Sequence, residues 1–312
     1  MKKTNNFEKF TTKKSNAAIK EQFRQEKRKW KKERAVAIDK KKKNNMADSR
    51  LPVADKDKST TQQQPTAIRQ LSSLMPLNKF IAHCGVCARR DAAELVKEGK
   101  VKVNGEVITE PGHKVTSKDE VMVNGKKIIL SKNLVYILVN KPKDYITTTD
   151  DPQERRTVMD LIKNATSERV YPVGRLDRNT SGVLLFTNDG ELSQKLTHPR
   201  NEIKKIYAVT LDKALTKDHF DQILKGVKME DGLALVDALG YTDAKDKTQI
   251  GIELHGGRNR IVRRIFEHFG YDVKNLDRVV FAGLTKKNLQ RGHWRFLSDK
   301  ELRELKFFGK GK

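Results

Sequence analysis

The sequence predicts an α+β fold, with a small basic unit ahead of a larger unit built on a mixed, largely antiparallel sheet. Strand-like and helix-like segments alternate without a strict βαβ rhythm. Two Asn-Gly dipeptides, at residues 104 and 124, mark tight hairpins, and the composition changes near residue 72. The chain has 312 residues, enough for two domains and a tail. We therefore expect an extension at 1–72 and domains at 75–130 and 134–307.

The overall charge restricts the class of partner. The net charge is +25 and the sequence pI is about 9.9, which favours polyanions. An anionic membrane surface is the rival polyanion, but no stretch approaches the roughly 18 apolar residues that span a bilayer. The N-terminus lacks the apolar core of a secretory signal, so we expect a cytoplasmic protein with no membrane partner.

The first 72 residues carry 21 Lys/Arg against 8 Asp/Glu, and only ten of them are Leu, Ile, Val or Phe. Such a composition buries too little apolar surface to offset chain entropy, so most of the segment is predicted to be disordered. Because its charge is positive rather than mixed, we favour an arm that binds a polyanion over a solubilising extension.

The unit at 75–130 should contain two helices followed by hairpins. Leu77, Phe80 and Ile81 share one helical face, and Gly85 ends that helix. A second helix is predicted at about 88–98, and short strands flank the two Asn-Gly turns. Its candidate polyanion-binding cations are Arg89, Arg90, Lys97, Lys100 and Lys102.

Two cysteines, Cys84 and Cys87, form a C-x-x-C pair in this unit. A zinc site needs about four ligands, and no second Cys or Cys/His pair has suitable spacing. We therefore favour structural thiols and expect no metal.

In the larger unit, segments with the alternating pattern of strands are interspersed with segments that have the spacing of amphipathic helices. The predicted elements are strands at 135–142, 183–186, 204–211, 233–241 and 248–255, and helices at 156–164, 190–197, 216–226 and 259–269.

The segment YPVGRLDRNTSGVLLFTNDGEL, residues 171–192, contains the strongest candidate for chemistry. Asp177 lies between Arg175 and Arg178 on a glycine-bounded turn that leads into an apolar strand. This is a plausible setting for an ionised aspartate nucleophile, although an arginine-paired structural loop has the same spacing.

The order of residues in this segment, GRLDRNTSGVLLFTNDGEL, resembles the catalytic motif of the ribosomal RNA pseudouridine synthases of the RsuA/RluB family. The resemblance extends from residue 75 to about 307, and residues 77–105 are similar to the small RNA-binding domain first known from ribosomal protein S-four. It implies that Asp177 is the essential residue of a uridine-to-pseudouridine isomerisation. That reaction adds and removes nothing, so it requires no cofactor or metal.

The resemblance also implies roles for three other residues. Tyr207, in KKIYAV, would stack on the target base, although a strand tyrosine is more usually a surface aromatic. Arg258 would pair with Asp177 and keep it ionised. Leu284 would pack under the base, with ordinary core packing as the alternative.

Further arginines, Arg260, Arg263 and Arg264, follow in HGGRNRIVRRIFEHFG. Such a cluster suits bidentate recognition of phosphate and carboxylate groups, or it forms a basic helix face with no catalytic duty. Ile261 and Gly256 depart from the usual glutamine and glutamate of the family string, which affects secondary contacts.

The match is closest to the large-subunit branch, so we expect a monomeric enzyme acting on ribosomal RNA or a ribosomal assembly intermediate. The alternatives are a small-subunit enzyme and a catalytically silent assembly factor on the same fold. A nuclease is a third option, but the sequence lacks the usual metal-binding carboxylates or paired histidines.

Overall fold

The computed structural model describes residues 74–130 and 133–307. The predicted basic extension at 1–72 lies outside the described residues. No helix in the described part of the chain is long and apolar enough to cross a membrane.

Residues 74–130 form a small unit of two helices against short strands. Its elements are β1 Met75–Pro76, α1 Leu77–His83, α2 Arg89–Lys97, β2 Val101–Val103, β3 Glu106–Val107, β4 Lys114–Val115, β5 Val121–Val123 and β6 Lys126–Ile128. Both Asn-Gly turns connect hairpins, because Asn104 and Asn124 adopt the positive φ that type I′ turns need. Leu77, Phe80 and Ile81 lie in the core between the helices and the four-stranded sheet β3-β2-β5-β6, as the helical spacing predicts.

Residues 133–307 are organised around a nine-stranded sheet. The strands of this unit are β7 Tyr136–Lys141, β8 Tyr171–Pro172, β9 Ser181–Thr187, β10 Lys205–Leu211, β11 Val227–Met229, β12 Gly232–Ala234, β13 Ala238–Tyr241, β14 Gln249–Leu254, β15 Val273–Phe281, β16 Leu284–Thr285 and β17 Trp294–Phe296. The helices are α3 Gly190–Thr197, α4 Lys217–Lys225, α5 Ile261–His268 and α6 Asp299–Phe307, with 3-10 turns at Asp160–Ile162 and Pro199–Asn201.

The main strand order is β13-β14-β10-β15-β9-β7-β17, and β11 and β12 form a separate hairpin. Neighbouring strands of the main sheet are antiparallel except β15 and β9, which run parallel. This makes the sheet mixed and largely antiparallel, as predicted. The parallel pair is central and brings the start of β9, just after Asp177, against the middle of β15.

Two predictions for this unit are wrong. The helix expected at 156–164 is only a 3-10 turn, because Ile146 pairs with Thr157 and holds its first residues extended. The strand expected at 233–241 is divided into β12 and β13. Sequence patterning also missed β15, because Lys274, Asp277 and Arg278 interrupt its apolar alternation.

Candidate active site

A cleft of about 760 Å³ opens where the Asp177 loop, β10, β15 and the start of α5 meet. Asp177, Tyr207 and Arg258 all line it, so the three residues that the sequence singled out share one cavity. Arg175, Arg178 and Arg260 also line the cleft and are exposed.

The backbone of the Asp177 loop is fixed by Lys141, which ends β7 and is fully buried. Its Nζ donates to the carbonyl oxygens of Asp177 at 3.1 Å, Arg178 at 3.2 Å and Thr180 at 2.8 Å, and to Pro142 at 3.0 Å. Burial lowers the pKa of Lys141 to about 8, while the charge of Asp177 opposes this change. A lysine ending the apolar run VYILVN was the available sequence signal for this role.

Two further contacts restrain the same loop. The hydroxyl of Thr147 donates to the carbonyl of Leu176 at 2.7 Å and accepts from its N–H at 3.2 Å. Gly182 has φ +112°, and a methyl group there would overlap the backbone of Arg278 on the parallel strand β15. The glycine is therefore required for this close approach.

The side chain of Asp177 is half-buried. Among residues 74–130 and 133–307, no hydrogen bond or ion pair engages its carboxylate, whereas its backbone is anchored. An anchored loop that presents an unengaged carboxylate to a cleft suits a reacting group better than a structural ion pair.

Tyr207 lies on β10, is half-buried, and packs against two hydrophobic clusters of the synthase unit. It pairs across the strands with Ile252 and Arg278. Because it lines the cleft rather than the outer surface, its ring is placed to contact a flat ligand.

The predicted ion pair between Arg258 and Asp177 is not formed. Arg258 instead donates to the carboxylate of Asp231 at 3.1 Å, and to the backbone carbonyls of Asp231, Gly232 and Leu233. These acceptors form the tip of the β11–β12 hairpin, and they satisfy the guanidinium locally. A hydrogen bond from Arg264, together with the charge of Arg258, lowers the pKa of Asp231 to about 2.

The arginine influenced by Asp177 is Arg263. It is buried, and it donates to the carbonyls of Val273 at 2.8 Å and Asn179 at 3.1 Å. Burial and the charge of Arg260 lower its pKa, while the charge of Asp177 raises it.

The arginines of this cluster have different surroundings. Arg263 is buried, and Arg264 is engaged by Asp231 at 2.8 Å through both Nη atoms. Arg260 stays exposed, with a contact to Glu267 at 3.2 Å.

The family resemblance implied that Leu284 packs under the base, but the structure places it elsewhere. It is 3% exposed and packs in the core with Val183 and Phe281 on the short strand β16, and it does not line the cleft. Leu276, on the longer strand β15, is the leucine that does.

The predicted cations of the small unit are all exposed: Arg89, Arg90, Lys97, Lys100 and Lys102. Among these, Lys100 contacts Glu98 at 2.7 Å. Cys84 and Cys87 pack against the core of the unit, and burial raises the pKa of the Cys84 thiol to about 12. Both features fit structural, protonated thiols.

The fold and cleft match proteins of one class. A family profile described as RNA pseudouridylate synthase matches residues 135–268, and an S4 domain profile matches residues 75–121. The ribosomal large subunit pseudouridine synthase B of Bacillus subtilis (strain 168) is 43% identical over 233 residues, 74% of this chain and 95% of that protein. This chain therefore belongs to the RNA pseudouridine synthase family, as an isomerase with an S4 domain ahead of its synthase domain.

Other relatives agree with this assignment. An uncharacterized RNA pseudouridine synthase of Aquifex aeolicus (strain VF5) is 39% identical over 73% of this chain and 92% of its own. The dual-specificity RNA pseudouridine synthase RluF of Escherichia coli O157:H7 is 37% identical over 75% of this chain and 79% of its own. A solved structure titled "Crystal structure of pseudouridylate synthase" shares the fold, with a TM-score of 0.54 at 24% identity over 74% of this chain and 99% of that one.

Proposed function

We propose that this protein isomerises a uridine of large-subunit ribosomal RNA to pseudouridine, with Asp177 as the essential catalytic residue. The observation that carries the proposal is the unengaged Asp177 carboxylate on an anchored loop, in the same cleft as Tyr207. The large-subunit target is supported by the name of the Bacillus subtilis relative.

The isomerisation rearranges bonds within a single nucleoside. In the isomerisation, the bond from uracil N1 to the sugar C1′ breaks, the ring turns, and C5 bonds to C1′. We assign Asp177 to the cleavage step, because its carboxylate has no other partner in the described part of the chain. Since no atom or electron is gained or lost overall, no cofactor enters the reaction.

The cleft suits a nucleotide taken out of its stack. Its volume of about 760 Å³ lies within the range of small-molecule sites. An extruded base loses its stacking neighbours and needs a flat apolar surface in exchange. We assign that surface to the Tyr207 ring, with Leu276 and Phe281 as apolar neighbours in the cleft wall.

We assign Arg258 a positioning role instead of an ion pair with Asp177. Its guanidinium binds Asp231 and the first two residues of β12, Gly232 and Leu233, so it connects the β11–β12 hairpin to the part of the cleft that Arg258 itself lines. Removing it should change the fit of the RNA more than the chemical step.

RNA binding is assigned to two basic surfaces. The first is the exposed cation set of the small unit, which we propose to be a separate domain at 75–130, with the synthase domain at 134–307. The second is Arg175, Arg178 and Arg260 at the cleft. The N-terminal extension would add sequence-independent affinity for phosphate, because it carries 21 Lys/Arg.

The 37% identity to a relative named dual-specificity keeps a second RNA class as a candidate target. The test is to map pseudouridines in all ribosomal and transfer RNAs, from cells with and without the gene. Loss of one large-subunit site supports the proposal, whereas loss of a small-subunit site alone refutes the assigned target. Loss at no site refutes the function.

Asp177→Asn tests the catalytic assignment with purified protein and the RNA segment that mapping identifies. We expect at least about a thousandfold loss of single-turnover rate, with RNA affinity and unfolding unchanged. Asp243→Asn, which changes an exposed carboxylate away from the cleft, is the matched control. An Asp177→Asn rate within tenfold of wild type would remove Asp177 from the mechanism.

A further inference from the structure

Arg278 is a buried cation in the wall of the cleft. It lies in the middle of β15, is only 2% exposed, and lines the cleft with Tyr207 and Asp177. On one side it pairs in register with Gly182, five residues after Asp177, and on the other with Tyr207. The strand pairing therefore fixes the backbone of Arg278 between Tyr207 and the start of β9, which follows the Asp177 loop.

The contacts of Arg278 hold its orientation without neutralising its charge. Nε donates to the carbonyl of Val183 at 2.8 Å, and the guanidinium carbon lies 4.5 Å from the centre of the Phe281 ring. Nη2 is buried and has no hydrogen-bond partner. In the described ranges 74–130 and 133–307, no carboxylate forms an ion pair with it.

The electrostatic surroundings lead to the same conclusion. Burial lowers the pKa of Arg278, and Tyr207 is the group that opposes this change. Burial likewise lowers the pKa of Lys205 to about 8, and the charge of Arg278 adds to that effect. The charge of Asp237 opposes the shift at Lys205, whereas only Tyr207, through its charge and a hydrogen bond, opposes the shift at Arg278. Arg278 is therefore the charge in this wall that no carboxylate compensates.

An uncompensated buried charge is costly, and an apolar side chain of similar volume normally serves packing as well or better. Packing alone therefore gives no reason for an arginine here. A fixed charge in a site shielded from water does, however, strongly stabilise an opposite charge that appears during a reaction.

We propose that Arg278 stabilises the negative charge that develops on the uracil ring when its N-glycosidic bond breaks. This inference rests on the proposed function, because it requires a uridine in the cleft. As the bond breaks, its electron pair stays on N1 and spreads to the two carbonyl oxygens of the ring, while C1′ becomes electron-poor. When C5 bonds to C1′, the ring carbon later loses its proton and N1 gains one. Arg278 transfers no proton at any stage.

The test compares Arg278→Met with wild type on two RNA substrates, one with uridine and one with 5-fluorouridine at the target position. Fluorine withdraws electrons and stabilises the uracil anion, so the fluorinated ring depends less on an external cation. Loss of the N-glycoside is followed under single turnover with saturating enzyme, by mass spectrometry of nuclease digests.

On uridine we expect Arg278→Met to be about a hundredfold slower, the loss typical for removing one group that stabilises developing charge. On 5-fluorouridine the deficit should be at least tenfold smaller. The dissociation constant for RNA should stay within threefold of wild type, because the charge acts after binding. Arg295→Met, an arginine bound to Glu301 and absent from the cleft lining, should react at the wild-type rate.

Wild-type activity of Arg278→Met would overturn the inference, and so would equal deficits on the two substrates, which indicate a purely structural role for Arg278. If Arg278→Met does not fold, the comparison moves to Arg278→Lys and Arg278→Gln. Only lysine keeps the charge, so it should be at least tenfold faster than glutamine, and equal rates would overturn the inference. Failure of the wild type to convert uridine would instead refute the proposed function itself.

Discussion

Lys141→Met separates the role of Lys141 as a support of the Asp177 loop from its contribution to overall stability. The side chain is fully buried and donates to four carbonyl groups, three of them in the loop at 177–180. Methionine keeps a similar length but removes both the charge and the donors. We expect a small change in stability together with a large loss of activity.

The magnitude follows from two opposing terms. The carbonyls of Asp177 and Arg178 also accept backbone N–H bonds, so methionine leaves those of Pro142 and Thr180 short of a donor, at about 1–3 kcal/mol each. Against this, the lowering of the Lys141 pKa from 10.5 to about 8 corresponds to about 3 kcal/mol of unfavourable burial, which the variant relieves. The expected change in unfolding free energy therefore runs from a gain of about 1 kcal/mol to a loss of about 3 kcal/mol.

Activity should fall by about a hundredfold, because a loop displaced by about 1 Å misplaces the reacting group by a similar amount. Urea unfolding gives the stability, and single-turnover pseudouridine formation gives the rate. Lys143→Met, which removes an exposed lysine two residues away, is the matched control.

The pH dependence of stability provides a second measurement. Since the folded-state pKa of Lys141 is about 8 and its unfolded value is 10.5, the unfolded chain binds more protons between these values. The part of the unfolding free energy that depends on Lys141 protonation is therefore highest above pH 10.5, where the side chain is neutral in both states. It decreases as the pH falls and is lost once the pH passes through 8. The wild type should gain stability relative to Lys141→Met between pH 7.5 and 9.5. A constant difference over that range, or an unchanged rate in the variant, would refute the reasoning.

Two other predictions follow from local geometry. Gly182→Ala should lose at least about 3 kcal/mol of stability, because its methyl group overlaps the backbone of Arg278. The control is Gly105→Ala, at a positive φ with open space, which should lose only about 1–2 kcal/mol. Equal losses for the two variants in urea unfolding would contradict the predicted overlap. The hydrogen bonds from Arg295 hold the pKa of Glu301 near 2, against an ordinary value of 4.5, so the pair stabilises the fold above pH 4.5 and this stability is lost as the pH falls toward 2. Glu301→Gln should therefore flatten acid unfolding over that range by about 1 kcal/mol, and an unchanged acid profile would show that the pair contributes nothing measurable.

Elements with strong local signals were predictable. The helix at Leu77–His83, with its apolar face, and both Asn-Gly hairpins follow from side-chain periodicity and from the conformational preference of the turn residues. The strand at Val273–Phe281 was missed, because its charged residues do not form a regular solvent-facing side. Arg278 is buried in the wall of the cleft, and Asp277 forms ion pairs with Lys286 and Arg291.

The residues that share the site were only partly predictable. Asp177 and Tyr207 were found through their motifs, and both line the cleft. The partner of Arg258 was not, because Asp231 is 27 residues away and approaches only through the β11–β12 hairpin. Leu276 and Leu284 are both apolar residues of strands, and only the sheet determines which one reaches the cleft.

By itself, the sequence determined the α+β class, the basic character of the chain and the motif that carries Asp177, because each depends on residues close together along the chain. The tertiary structure alone decided that Lys141 anchors the loop, that Arg263 is buried near Asp177, and that Arg278 carries an unpaired charge in the cleft wall. These three side chains bind carbonyls at Asp177, Asn179 and Val183, which are 36, 84 and 95 positions away from Lys141, Arg263 and Arg278 respectively. The antiparallel pairing of β7 with β9 brings Lys141 to the Asp177 loop, and the parallel pairing of β9 with β15 brings Arg278 beside Val183. No local pattern records either pairing, because each joins backbone segments that are distant along the chain.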